Sequence, residues 1–111
     1  MKILVVEDEE YRRDAFRTKY AGQHQIVFTK KPAEAIDLLK QGGFGCLFLD
    51  HDLGCKHSGY DIACWLEEHP EHCPPQIVIH SQNSVGNQKI KAALPQAYLV
   101  PFAPKGLPTL L

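Results

Sequence analysis

The sequence predicts an α/β fold, a doubly wound parallel sheet of five strands, and three observations predict it. Five short runs, at residues 3–6, 26–29, 46–49, 77–80 and 97–100, are β-branched or aromatic and apolar on consecutive rather than alternate positions. That pattern suits strands covered on both faces. Helix-like stretches fill the four gaps, giving the order β-α-β-α-β-α-β-α-β. Right-handed crossovers then place helices on both sides of one sheet.

Each helix has its own signals. In the first, Tyr11, Ala15, Phe16 and Tyr20 form an apolar face, with Arg12, Arg13 and Arg17 assigned to the opposite one. Glu9 and Glu10 fall at its start, where the macrodipole favours acids. Pro32 opens the second helix at a position that tolerates a missing N–H, Ile36 and Leu39 give it a stripe, and Gly42-Gly43 stops it. Ile62, Trp65 and Leu66 define the third, closed by Pro70. Ile90 and Leu94 define the fourth, with Asn83 or Ser84 as N-cap and Pro95 at its end. The remaining Pro-rich tail is too short for a full fifth helix.

Length and composition narrow the function classes. The 111 residues suit one domain over 1–111, and 44% hydrophobic with 23% charged residues excludes wholesale disorder and fibrous architectures. Twelve Lys+Arg against thirteen Asp+Glu leave a net charge of -1, so charge gives no argument for a nucleic-acid or membrane partner, and no DNA-binding domain is expected. The opening run has four apolar residues before the acids, short of the ~7–15 of a secretory segment, and a cytoplasmic protein is expected. Cys46, Cys55, Cys64 and Cys73 are expected as reduced thiols, with Cys46 and Cys64 filling core positions. Cys55, His57, His69, His72 and Cys73 lack familiar zinc-ligand spacing.

In a doubly wound sheet the ligand lies at the carboxyl ends of the strands. Here the first strand ends in Glu7-Asp8, the third in Asp50-His51-Asp52 and the fourth in His80-Ser81-Gln82-Asn83. Carboxylates converging without a counter-charge repel, and a hard divalent cation relieves that repulsion. Asp8 and Asp50, with Glu7, are therefore candidate ligands for Mg²⁺ or Mn²⁺, whereas Glu9 and Glu10 read as helix-capping acids.

Residues 3–9 (Ile-Leu-Val-Val-Glu-Asp-Glu), Leu47-Phe48-Leu49-Asp50 and Gly59 together resemble the receiver domain of two-component response regulators, over about residues 2–102. The resemblance implies a flavodoxin-like sheet in the order 2-1-3-4-5. It also implies Mg²⁺ on Glu7 and Asp8, Asp50 as phospho-acceptor and Ser81 as the switch hydroxyl. Receivers carry a lysine before the proline that follows the fifth strand; here Val100 precedes Pro101, and Lys105 is the nearest substitute. The fifth helix is truncated or absent.

Residues 49–54 (Leu-Asp-His-Asp-Leu-Gly) and 79–83 (Ile-His-Ser-Gln-Asn) further resemble a receiver-like branch described as cyclic-phosphate processing. That resemblance implies phosphoester chemistry. Opening a cyclic phosphate needs an activated water, neutralised phosphoryl oxygens and an acid for the leaving ribose oxygen. A metal on Asp8 and Asp50 would serve the first two needs, with Asp52 as an added ligand or water-orienting group. His51 or His80, the latter preferred, would move the proton. Ser81 and Asn83 add neutral donors beside the N–H groups that open the fourth helix. Strand alternation predicts that if Asp50 and Ser81 face the metal, His51 and His80 face away and meet each other.

Three readings stay open. The first is a metal-dependent phosphoesterase acting on a cyclic-phosphate small molecule or RNA end, with Asp50, His51, Asp52, His80, Ser81 and Asn83 as candidate catalytic residues. The second is a stand-alone receiver phosphorylated on Asp50 in a phosphorelay with a histidine kinase. The third is a non-catalytic pseudo-receiver that binds a protein partner.

Overall fold

A computed structural model describes residues 1–53, 58–81, 83–100, 107, 108 and 110. The elements follow the predicted order: β1 (Lys2–Val6), α1 (Glu10–Tyr20), β2 (Gln25–Thr29), α2 (Pro32–Gln41), β3 (Cys46–Leu49), α3 (Gly59–Glu68), a 3₁₀ turn (Pro70–His72), β4 (Gln76–Ile79), α4 (Ser84–Ala93) and β5 (Tyr98–Leu99). All strands are parallel, in the order β2-β1-β3-β4-β5, and no fifth helix follows β5 among the described residues.

The consecutive apolar runs arise because the sheet is packed on both faces. Leu4, Val6, Leu47, Leu49, Ile77 and Ile79 point towards α2, α3 and α4, where they meet Ala35, Leu39, Ile62, Leu66 and Ile90. Ile3, Val5, Cys46, Phe48 and Val78 point the other way, against Phe16 and Tyr20 of α1 and against Leu107 and Leu110. The Tyr20 hydroxyl donates to the Pro108 carbonyl, which ties the tail to the face a fifth helix would cover. β5 is shorter than the predicted 97–100 because it is an edge strand pairing with β4 alone, and Tyr98 and Leu99 stay exposed.

Two assignments on the helices are corrected. Tyr11 is exposed, and Arg12 lies on the buried side of α1 instead of with Arg13 and Arg17. The reason is geometric: Arg12, Phe16 and Tyr20 recur every four residues and so share one face. Cys64 is half-buried rather than a core filler, as is Ile36, with Ala35 taking the buried place on α2. The caps fit their residues. Gly42 and Gly43 adopt φ values of 78° and 86° after α2. Ser58 caps α3 in a reciprocal box with Asp61, and Asn83, of the two candidates, caps α4 by accepting from the Gly86 N–H at 2.9 Å. No helix among the described residues is long and apolar enough to cross a membrane.

Candidate functional site

The strand register sets the site. Val6, Leu49 and Ile79 are level across β1, β3 and β4, so the next residues, Glu7, Asp50 and His80, are level too and point to one face. The ladder continues through them: the Glu7, Asp50 and His80 amides donate to the Thr29, Val6 and Leu49 carbonyls. This corrects the alternation argument, because Asp50 shares its face with His80 and not with Ser81 alone. His80 Nε2 lies 2.8 Å from Glu7 Oε1, and one ligand atom from each of Glu7, Asp50 and His80 falls within 4.8 Å of the others. The imidazole packs on Phe16 of α1, with ring centroids 5.2 Å apart.

His51 sits on the opposite side of the sheet edge, over the start of α4, so the two histidines do not form the expected pair. Its Nδ1 lies 2.9 Å from Asp52 Oδ1, and Asn83 Nδ2 donates to the same oxygen at 3.2 Å. Gly86 makes room for the ring, since a Cβ there would collide with it. Ser81 is buried between the two groups; its Oγ accepts the Asn83 N–H at 3.0 Å, and its carbonyl accepts from Asn87 Nδ2 at 2.6 Å. Gly59 allows α3 to approach β3, because a Cβ would strike the Asp50 carbonyl.

An open cleft of about 520 Å³ at this edge is lined by Asp8, Glu9, Arg12, Asp50, Asp52, Ser81 and Asn83. Glu7 stands behind it, both its oxygens engaged: Oε1 by His80 and Oε2 by the Glu9 N–H at 3.1 Å. Burial raises the Glu7 pKa, and burial followed by the Glu7 charge pushes Asp50 up to about 6. Burial also pushes His80 down to about 4, so its imidazole is neutral. Asp52 is lowered by its hydrogen bonds from His51 and Asn83.

Arg12, assigned from sequence to a solvated face, enters this cleft, with Nη1 3.6 Å from Glu7 Oε1 and 3.8 Å from Asp50 Oδ2. Its four-residue spacing from Phe16 was the signal that could have found it. Val100 packs against the α1-face cluster, and Lys105 lies outside the described residues, as do Gly54, Cys55, His57, Gln82 and Pro101. A second cleft, about 410 Å³ between α1 and α2, carries Lys30 and Lys31, but its arginines are engaged by acids, Arg13 with Glu10 and Arg17 with Glu10 and Asp14.

The donor set fits a divalent cation. Asp8 Oδ1 and Asp50 Oδ1 are buried without a hydrogen-bond partner, and unpaired buried carboxylate oxygens are costly. Hard oxygens beside a carboxyl of raised pKa suit Mg²⁺ or Mn²⁺.

The fold recurs widely. TrrA of Thermotoga maritima, a response regulator in complex with Mg²⁺-BeF, is 19% identical and superimposes with a TM-score of 0.73 over 91% of this chain and 87% of that one. The phosphorylated cyanobacterial phytochrome response regulator RcpA is 21% identical, with a TM-score of 0.77 over 92% and 81%. The Mn²⁺-bound response regulator Rcp1 is 18% identical, with a TM-score of 0.73 over 89% and 79%. At these identities the likeness is one of fold. A comparison with curated protein sequences finds no match. The family model of the cyclic-phosphate processing receiver domain matches residues 2–96, and the chain belongs to that family.

Proposed function

We propose that this single domain is a cytoplasmic, metal-dependent phosphoesterase that opens a cyclic phosphate carried by a nucleotide or an RNA end. The observation that carries the reading is the pair of partnerless carboxylate oxygens, on Asp8 and Asp50, in a cleft shared with Asp52 and Asn83. A divalent cation bound by Asp8 and Asp50 would supply charge neutralisation of the phosphoryl oxygens and acidification of water. The chain's residues supply the rest. Asp52, held as a carboxylate, accepts from His51 Nδ1, fixing the tautomer and leaving the Nε2 lone pair to accept and pass on a proton. Water adds to phosphorus as His51 Nε2 takes its proton, one ring P–O bond breaks, and His51 returns that proton to the departing ribose oxygen, so the histidine ends as it began. Ser81 and Asn83 border the phosphoryl group, while His80 holds Glu7 and thereby positions Asp50.

Purified protein with Mn²⁺ or Mg²⁺ should open 2′,3′-cyclic or 3′,5′-cyclic phosphates, and Asp50→Asn should abolish this. A wild type inert on such a panel refutes the reading. A second reading, phosphorylation of Asp50 by a histidine kinase, is favoured by the place of Asp50 at the end of β3 in the cleft, beside Ser81. It predicts a labile phosphoryl adduct from a small phosphodonor with Mg²⁺; no adduct rejects it.

A further inference from the structure

A protein cation beside a bound metal adds donors for the phosphoryl oxygens, and among the described residues the end of β5 presents none. Val100 turns its side chain into the α1-face core. Among the described residues lining the cleft, Arg12 is the one cation. It projects from the first turn of α1 with its side chain 11% exposed, carried on the face that Phe16 and Tyr20 anchor. Its Nη1 stands within ion-pair reach of Glu7 Oε1 and Asp50 Oδ2, at 3.6 and 3.8 Å. Tyr11 Oη accepts from Nε at 3.0 Å and orients the guanidinium plane. Planar guanidinium donors match the spacing of phosphoryl oxygens better than an ammonium does.

We infer that Arg12 is a phosphoryl-binding residue of this cleft, reaching the substrate from α1. The inference rests on the phosphoester reading above and adds to it a residue with a defined role. The competing role is a structural counter-charge for Glu7 and Asp50. The two differ in sign. A phosphoryl ligand residue, once removed, weakens anion binding and leaves cation binding intact or tighter, because a positive charge has left the carboxylates. A counter-charge that organises the acids, once removed, weakens cation binding and has no direct effect on the anion.

The test titrates Mn²⁺ alone, and inorganic phosphate in the presence of Mg²⁺, into wild type, Arg12→Gln and Arg12→Lys, followed by calorimetry and by melting temperature. Arg12→Gln is expected to lose at least tenfold in phosphate affinity, with Mn²⁺ affinity equal to or above wild type. Arg12→Lys should recover part of the phosphate affinity. Arg17→Gln, on the same helix but paired with Glu10 and Asp14, should match wild type in both titrations. Phosphate affinity within twofold of wild type in Arg12→Gln, or a parallel loss of Mn²⁺ affinity, overturns the inference. Should Arg12→Gln not fold, Arg12→Lys decides in its place: unchanged phosphate affinity overturns the assignment, and a severalfold loss with Mn²⁺ affinity kept supports it. A wild type that binds Mn²⁺ but not phosphate sinks this inference alone, whereas one that binds neither sinks the phosphoesterase reading as well.

Discussion

Replacing Asp50 by asparagine should stabilise the metal-free protein and remove its response to metal. Asp50 is only 2% exposed, and its carboxyl is pushed from an ordinary value of 3.8 up to about 6 by burial and by the charge of Glu7. A group whose folded pKa is raised contributes stability that is present below about pH 4 and lost as pH rises through about 6. At pH 7.5 the wild type therefore folds with an ionised carboxylate that the site disfavours, at a cost of about 2–3 kcal/mol from the size of that shift. Asparagine keeps the shape and removes the charge. In EDTA at pH 7.5 the variant should melt about 5–10 °C higher than wild type, and the gap should close near pH 4. Metal reverses the order, since a cation held by the folded state at 100 times its Kd adds about 2.7 kcal/mol to wild type. The assay is thermal unfolding by circular dichroism at pH 7.5 and 4.5, with EDTA or Mn²⁺. A variant less stable than wild type in EDTA at pH 7.5, or one that keeps the full Mn²⁺ increment, refutes the electrostatic account.

Other substitutions probe the supports of the site. His80→Leu leaves Glu7 Oε1 without its 2.8 Å partner inside the sheet edge, and should lower stability in chemical denaturation by about 2–3 kcal/mol. Gly59→Ala drives a Cβ into the Asp50 carbonyl and should cost about 1–3 kcal/mol by the same measurement, with Mn²⁺ affinity falling as β3 shifts. Gly86→Ala displaces the His51 ring, so the rate of cyclic-phosphate opening should drop while Mn²⁺ affinity, which rests on Asp8 and Asp50, stays put. An unchanged rate in Gly86→Ala would remove His51 from the chemistry.

Much of the architecture was legible because parallel strands covered on both faces must be apolar on consecutive positions. The runs at 3–6 and 46–49 are therefore unmistakable, and Leu4, Val6, Leu47 and Leu49 face one helical layer while Ile3, Val5, Cys46 and Phe48 face the other. Asn83 could be proposed as a cap because its oxygen suits the first turn of a helix. β5 was overestimated, since a one-sided edge pairing ends sooner than its residue types suggest. Arg12 was misassigned because residue type was weighed above spacing.

The chain's residues already carried the alternating βα order, the arrival of Glu7, Asp8, Asp50, His51, Asp52, His80, Ser81 and Asn83 at one sheet edge, and the loss of a β5 lysine to Val100. Those features depend on local pattern and on a topology with few alternatives. Which groups touch did not follow from them, because contacts between neighbouring strands depend on register. A one-residue slip would turn every side chain to the opposite face. The register that levels Glu7, Asp50 and His80 gives His80 to Glu7 and leaves His51 to Asp52 and Asn83. The packing of Phe16 and Tyr20 on the sheet then carries Arg12 into the acidic cleft.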